Sequence, residues 1–300
     1  MKKTERKTPA QQPVPPVEPA PLEETPAEAT PVEKISVVIV SCNHAEELRK
    51  SLIALDAEVE NPALQVVVVD NGSKDSSASL SAEFQGAQFV TLPHNFGLTR
   101  ALNIGIRATS GDYVLVMHED VEITREAVGR LRDELAEHPE TGAACPLLLG
   151  EDGKPALQVR DLPAPGNPDP PLRAGSAGEV VPAVSGAAIM VRRFLLNAMR
   201  QIDERYGNAG SDVELCMQVK RAAKKVVIVD GVTAIHHFDA PPDFPQFAAD
   251  RQLAAGTFLG KYYGFAAQIK YLIGALLAAL FTFRLSRFRF LIAGQKIDGA

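Results

Sequence analysis

Two unbroken apolar runs, ISVVIVS (35–41) and LQVVVVD (64–70), are followed at intervals of roughly thirty residues by two more strand-like segments, AQFVTL (87–92) and DYVLVMH (112–118). A strand exposed on one face alternates apolar and polar residues, so the first two runs predict strands covered on both faces. The stretches between them carry helical spacing. Leu48, Leu52 and Leu55 repeat after the first run, with Asn43 at the expected N-cap and Glu46 and Glu47 in the first turn. After a turn at NGSKDSS a weak helix reaches about Phe84, and TRALNIGIRAT (99–109) aligns Ala101, Leu102 and Ile106 on one side. Strand and helix in strict alternation predict βαβ units, hence an α/β, doubly wound, mostly parallel sheet.

In an open parallel sheet, ligands bind beyond the carboxyl ends of the strands. Those ends hold most of the polar residues here: Ser41-Cys42-Asn43, Asp70-Asn71-Gly72-Ser73, His94-Asn95-Phe96-Gly97 and His118-Glu119-Asp120. Each cluster alone is an ordinary turn sequence. Four of them at one edge of one sheet define a candidate binding crevice.

Composition narrows the field. The chain has 300 residues, 46% hydrophobic and 23% charged, which is enough apolar material for a sizeable core. Its formal net charge of −6 argues against a nucleic-acid partner, because phosphate neutralisation requires clustered Lys and Arg. Cys42, Cys145 and Cys216 stand apart with no C-x-x-C pair, as reduced thiols do, and are expected to be buried apolar filler. Residues 1–34, rich in Pro, Glu and Ala without hydrophobic periodicity, are expected to be disordered and carry no signal-peptide core. The main domain is then 35–240.

Beyond the fourth strand, TREAVGRLRDELAEH (124–138) predicts an amphipathic helix and GAACPLLL (142–149) a strand. The Pro- and Gly-rich residues 161–180 predict a long loop. VELCMQVKRAA (213–223) predicts a helix, and KVVIVD (225–230) a strand leading into TAIHHF (233–238). Residues 241–300 form a helical extension. Its uncharged core, YLIGALLAALFTF, has thirteen residues, too few for a bilayer core that needs about twenty. With Arg284, Arg287 and Arg289 beside it, this helix would lie at an anionic membrane surface or pack on the protein or a second subunit.

The segments SVVIVSCN, VVVVDNGSKDSS, HNFGLTRALNIGI, GDYVLVMHEDVEI, VSGAAIMVRR, IDERYGNAGSDVELC and AIHH occur in an order that resembles the inverting GT-A glycosyltransferases of family 2, in particular their rhamnosyltransferase-like branch. The resemblance covers residues 35–238. It implies a GT-A (Rossmann-like) domain, a nucleotide-sugar donor, a glycan or lipid-linked acceptor, and a setting in cell-surface polysaccharide assembly. It further implies a cytoplasmic enzyme, peripheral at the inner face of the membrane. By this resemblance Asp70 would bind the donor's base, and Ser41 and Asn43 would line the same pocket. Asn95, Gly97 and Asn103 would shape the floor under ribose and diphosphate. His118-Glu119-Asp120 takes the place of the family's D-x-D-like motif, with Glu119 facing the donor. Asp120, His236 and His118 would hold Mg²⁺ or Mn²⁺, and Asp212 would be the catalytic base.

This chain departs from the family's pattern in several places. The first acidic position of the D-x-D-like motif is His118, an imidazole better suited to Mn²⁺ than to Mg²⁺. The family's Glu-Asp pair is Ser211-Asp212, and the Arg after its LCL is Gln218. Asp203 and Glu204 match its FDE element with Ile202 in place of Phe; Glu204 would meet the acceptor or serve structure. Adjacent His236 and His237 on a strand point to opposite faces, so one of them can reach the site. Asp212 also fits a helix N-cap, and His236 and His118 also fit structural roles. A GT-A-like binding or scaffold protein without catalysis is the competing class. A nucleotidyltransferase would require a Gly-rich basic loop that SCNHAEEL lacks.

Overall fold

The computed structural model describes residues 34–58, 61–237 and 245–294. The disorder expected for residues 1–34 therefore falls, Lys34 apart, outside the described residues. The first half runs β1 (Ile35–Ser41), α1 (Ala45–Ala54), β2 (Leu64–Asp70), a 3₁₀ helix (Ser76–Ala82), β3 (Ala87–Thr91), α2 (Leu98–Arg107) and β4 (Tyr113–His118). Then follow β5 (Val121–Glu122), α3 (Arg125–Glu137), β6 (Thr141–Leu149), β7 (Leu157–Arg160), β8 (Arg173–Ala174), β9 (Val180–Val181), β10 (Ala183–Val184) and β11 (Ala188–Arg192). Helices α4 (Arg193–Ala198) and α5 (Ser211–Arg221) precede β12 (Lys225–His236). The extension comprises α6 (Pro245–Tyr263), α7 (Phe265–Phe281) and α8 (Leu285–Ala293).

The main sheet has the order β3-β2-β1-β4-β11-β6-β12-β5, with β9 also paired to β12. β1 through β4 are mutually parallel, as are β6 and β12, whereas β11 runs antiparallel between β4 and β6. The order reverses at β1 and β4, which places the crevice between two winding directions. A small second sheet, β10-β7-β8, lies apart. The long loop expected at 161–180 is broken only by β8 and the first residue of β9. β12 continues across residues 229–232 with a bulge, joining what reads in sequence as two pieces.

Alternation along β1 sorts the core. Val37 and Ile39 join Leu48, Leu52, Val128, Leu131 and Leu135 on one face of the sheet. Val38 and Val40 join Ala101, Leu102, Ile106, Leu215, Cys216 and Val219 on the other. Every residue of β1 is buried. Each buried Val, Leu or Ile contributes roughly 1.5–3 kcal/mol, so the apolar runs are satisfied only in a sheet covered by helices on both sides.

Two local expectations need correction. Asn43 is not the N-cap of α1; His44 holds that position without a side-chain capping bond, and Asn43 sits at φ 62°. The cap comes from the next loop, where Asp75 Oδ2 accepts from the Ala45 N–H at 3.0 Å. The same carboxylate caps the 3₁₀ helix through the Ser77 N–H. Cys145 and Cys216 are buried filler, but Cys42 is half-buried at the end of β1, 3.5 Å from Asn43 Nδ2 and from Asn95 Nδ2.

Candidate active site

Strand register brings the first site residues into one row. Ser41 pairs with Asp70 across β1 and β2, and Val40 pairs with His118 across β1 and β4. Asp70 is buried, and its Oδ1 accepts from the Ser73 N–H at 2.9 Å. Ser41 is buried beside it, and its Oγ makes no hydrogen bond among the described residues. Asn43 is exposed at the rim and ties two loops together. Its N–H donates to Ser73 Oγ at 3.0 Å, and its Oδ1 accepts from the Lys74 N–H at 2.7 Å. Asn95 Oδ1 accepts from Asn71 Nδ2 and from the Gly97 N–H, both at 2.8 Å. Gly97 caps α2 at φ 81°, a conformation costly for any side chain, while the next free N–H, that of Leu98, is taken by Asn208 Oδ1 at 3.1 Å.

Three side chains meet where β4 and β12 end. Asp120 Oδ1 lies 3.5 Å from His236 Nε2 and 4.0 Å from His118 Nδ1. All three offer ligand atoms within 4.8 Å of one another. Asp120 Oδ1 is buried and accepts no hydrogen bond of ordinary length. Burial pushes the Asp120 carboxyl up, but the two imidazoles outweigh burial and hold it below its usual range. A buried carboxylate oxygen facing two imidazoles is a donor set that fits a divalent cation, and the nitrogen content suits Mn²⁺ more than Mg²⁺. The turn carrying Asp120 is held by the Ser51 hydroxyl, 2.6 Å from the carbonyl oxygens of both Glu119 and Val121. Glu119 turns toward α1, its Oε1 2.6 Å from His44 Nδ1. His237 faces away from the cluster, between Glu122 and Glu151 at 2.5 and 2.6 Å.

Asp212 lies in the first turn of α5, where the helix dipole favours a carboxylate. The N-cap is Gly210, in a left-handed conformation, so neither Ser211 nor Asp212 caps this helix. Asp212 Oδ2 accepts from the Gly186 N–H at 3.2 Å. Asp212, His118, His236, Ser185 and Gly186 line one cavity of about 440 Å³, within the usual range for small-molecule sites. Much of the remaining lining is apolar, including Leu98, Leu102, Ile189 and Phe247.

Asn103 does not join the others. It is buried on α2, donating to the Ile202 carbonyl at 2.8 Å and to Glu204 Oε1 at 3.0 Å, and accepting from the Ile202 N–H at 3.0 Å. Its amide therefore fastens the 202–204 loop, and with Glu204 it lines a separate cavity of about 390 Å³. Behind Asp212, buried Glu214 accepts from Lys261 Nζ at 2.5 Å, and from Gln218 Nε2 and Tyr262 Oη at 2.8 Å each. Lys261 of the extension thus supplies the cation beside Glu214 and Gln218. Sequence reasoning missed Lys261, Ser185 and Gly186. For the last two, the small-residue run Ser185-Gly186-Ala187 inside VSGAAIMVRR was the available signal.

Residues 36–200, more than half of the chain, match the profile of Glycosyl transferase family 2. An N-acetylglucosaminyl-diphospho-decaprenol L-rhamnosyltransferase of Mycobacterium tuberculosis is 25% identical over 233 residues, spanning 68% of this chain and 76% of that protein. The O-antigen biosynthesis protein RfbC of Myxococcus xanthus is 26% identical over 229 residues, 69% of this chain and 17% of that much longer one. Among solved structures, a mannosyltransferase of Pyrobaculum calidifontis in complex with GDP-Man and Mn²⁺ has a TM-score of 0.55 at 17% identity, covering 90% of this chain and 89% of that one. TarS of S. aureus in complex with UDP-GlcNAc has a TM-score of 0.58 at 15% identity, covering 79% and 70%.

Proposed function

The chain belongs to glycosyl transferase family 2, and from that premise we propose that it transfers a sugar from a UDP- or dTDP-linked donor to a hydroxyl of a glycan or lipid-linked acceptor, with inversion. The observation that carries this reading is the convergence of Asp212, His118 and His236 on one cavity. Ser41, Asn43, Asp70, Asn95 and Glu119 would hold the nucleotide at the strand ends, with Gly97 shaping the turn beneath. Asp212 would take the proton of the acceptor hydroxyl while that oxygen bonds to the anomeric carbon. The bond from that carbon to the diphosphate breaks in the same displacement, and its electron pair leaves with the nucleotide. Asp120, His236 and His118 would hold Mn²⁺ or Mg²⁺, which offsets negative charge on the departing diphosphate when bound.

The M. tuberculosis relative is named for a diphospholipid acceptor, and an acceptor of that class is the reading favoured here. Among the described residues no helix is long and apolar enough to cross a membrane. The extension nevertheless exposes Phe265, Ile269, Ile273, Leu277, Phe281 and Phe283. From Arg251 to Gly294 the chain carries six Lys and Arg residues and no Asp or Glu, against −6 for the whole. Apolar side chains with a basic rim support docking on an anionic bilayer surface, where a lipid-linked acceptor would reside.

The scaffold alternative drew on His118, Ser211 and Gln218. Lys261 removes one of these supports, since Glu214 keeps a cationic partner. Calorimetric titration with UDP, dTDP and GDP, each with and without Mn²⁺, separates the readings. Metal-dependent binding of one nucleotide is expected, and binding of none would favour the scaffold.

A further inference from the structure

The cavity beside Asp212 has a basic side that the transfer chemistry above does not use. Arg160, the last residue of β7, and Arg251, on α6, both line it. They converge on one carboxylate, Asp169, in the loop between β7 and β8. Arg251 Nη2 lies 2.5 Å from Asp169 Oδ2, and Arg160 Nη1 lies 3.8 Å from Asp169 Oδ1. Arg160 Nε is buried and makes no hydrogen bond among the described residues. A third guanidinium, Arg287 of α8, is anchored to Gln252 Oε1 at 2.9 Å. Burial and the neighbouring Arg284 and Arg251 push it below its ordinary range. Asp169 thus faces a surplus of positive charge in a small pocket that it lines with Arg160 and Arg251, and both arginines also line the larger cavity, whose other walls are mostly apolar.

A buried guanidinium N–H without an acceptor is costly, and a planar fork of donors matches phosphate oxygens. The surrounding Leu98, Leu102, Leu172 and Phe247 match hydrocarbon. A ligand that satisfies both carries phosphate joined to an apolar chain. We propose that Arg160 and Arg251 form an anion site for the phosphate or diphosphate of such an acceptor, with Asp169 as the counter-ion it displaces. This rests on the reading of the Asp212 cavity as the acceptor site. It assigns part of acceptor recognition to the C-terminal extension, since Arg251 comes from α6.

The test uses the full chain in EDTA, so that the Asp120 cluster holds no metal, and titrates farnesyl diphosphate, farnesol and inorganic pyrophosphate. Farnesyl diphosphate is expected to bind at least about tenfold more tightly than either part alone, and R160Q/R251Q to lose about tenfold or more of that affinity. Mn²⁺-dependent UDP affinity, measured separately, should stay within about twofold in the double variant, because the donor's diphosphate belongs to the Asp120 cluster. D169N removes the competing carboxylate and should tighten farnesyl diphosphate binding about threefold, a gain that misfolding cannot produce. Equal affinity of wild type and R160Q/R251Q for farnesyl diphosphate overturns the proposal. So does a loss of UDP binding with farnesyl diphosphate unaffected, which would assign the arginines to the donor. If wild type binds UDP, dTDP or GDP with Mn²⁺ but not farnesyl diphosphate, this inference alone fails; if it binds none of the nucleotides either, the enzymatic reading fails with it.

Discussion

Gly186 donates its N–H to Asp212 Oδ2 at 3.2 Å, so the loop joining β10 to β11 sets the direction of the carboxylate proposed as base. A Cβ at position 186 would stand 3.3 Å from Asp212 Cβ and 3.7 Å from His118 Nε2. The fit is tight, and the side chain that must give way is the one proposed as base. Gly186→Ala is expected to lower turnover about tenfold through misplacement of Asp212. Its urea midpoint should barely move, which separates this effect from loss of the fold.

The candidate metal site makes a second prediction. Asp120→Asn removes the charged oxygen that both imidazoles face, and metal-dependent nucleotide affinity should fall about a hundredfold. With two nitrogen donors in the set, Mn²⁺ should support binding better than Mg²⁺ in wild type. Titration calorimetry with each ion reads both effects. Nucleotide affinity independent of metal in wild type would contradict the assignment.

Lys261 is the link between the extension and the helix that carries Asp212. Its ammonium meets buried Glu214 at 2.5 Å and Asp203 at 2.8 Å. Lys261→Met leaves Glu214 buried without its cation, and should cost about 3 kcal/mol in urea unfolding. Lys261→Met with Glu214→Gln should recover much of that loss.

The same network sets pH limits on stability. Burial raises the Asp203 carboxyl, but Arg205 and Lys261 outweigh it and hold it well below the ordinary aspartate value of 3.8. A depressed carboxylate stabilises the fold above its unfolded pKa, so this contribution fades as pH falls below 3.8. Lys261 moves the other way. Burial lowers it, yet Asp203 and Glu214 raise it above 10.5, so its contribution is intact below that value and lost as pH rises beyond it. Asp203→Asn should flatten the acid limb of a thermal-melting series, and an unchanged limb would speak against this network.

How far sequence could reach follows from where each interaction lies in the chain. Buried parallel strands announce themselves because both faces must be apolar, and polar strand ends point to the crevice by topology alone. Asp75 capping α1 was out of reach, since the cap lies thirty residues beyond the first residue of the helix it serves. Asn103 sits in a segment that resembles a donor-site motif, yet its helix face turns toward the 202–204 loop, which only packing decides. Lys261 and Gln218 compensate across separate helices, and no local pattern marks that exchange.

Membrane docking is testable without knowing the substrate. Vesicles containing anionic lipid should co-float the protein, neutral vesicles should not, and salt should weaken the association. Phe281→Glu with Phe283→Glu, at and just beyond the exposed end of α7, should abolish flotation without changing nucleotide affinity. Dimerisation lost in the same variant would instead identify a second copy as the occupant of this face.

The most direct test of glycosyl transfer through Asp212 is the turnover of Asp212→Asn, measured as nucleotide release with acceptor present and set beside its nucleotide affinity. The amide keeps an oxygen for the Gly186 N–H but cannot accept the acceptor's proton. Turnover should fall by about a hundredfold or more while nucleotide affinity stays within about threefold of wild type. Wild-type turnover in this variant would contradict the account, because the proton would then be leaving by another route.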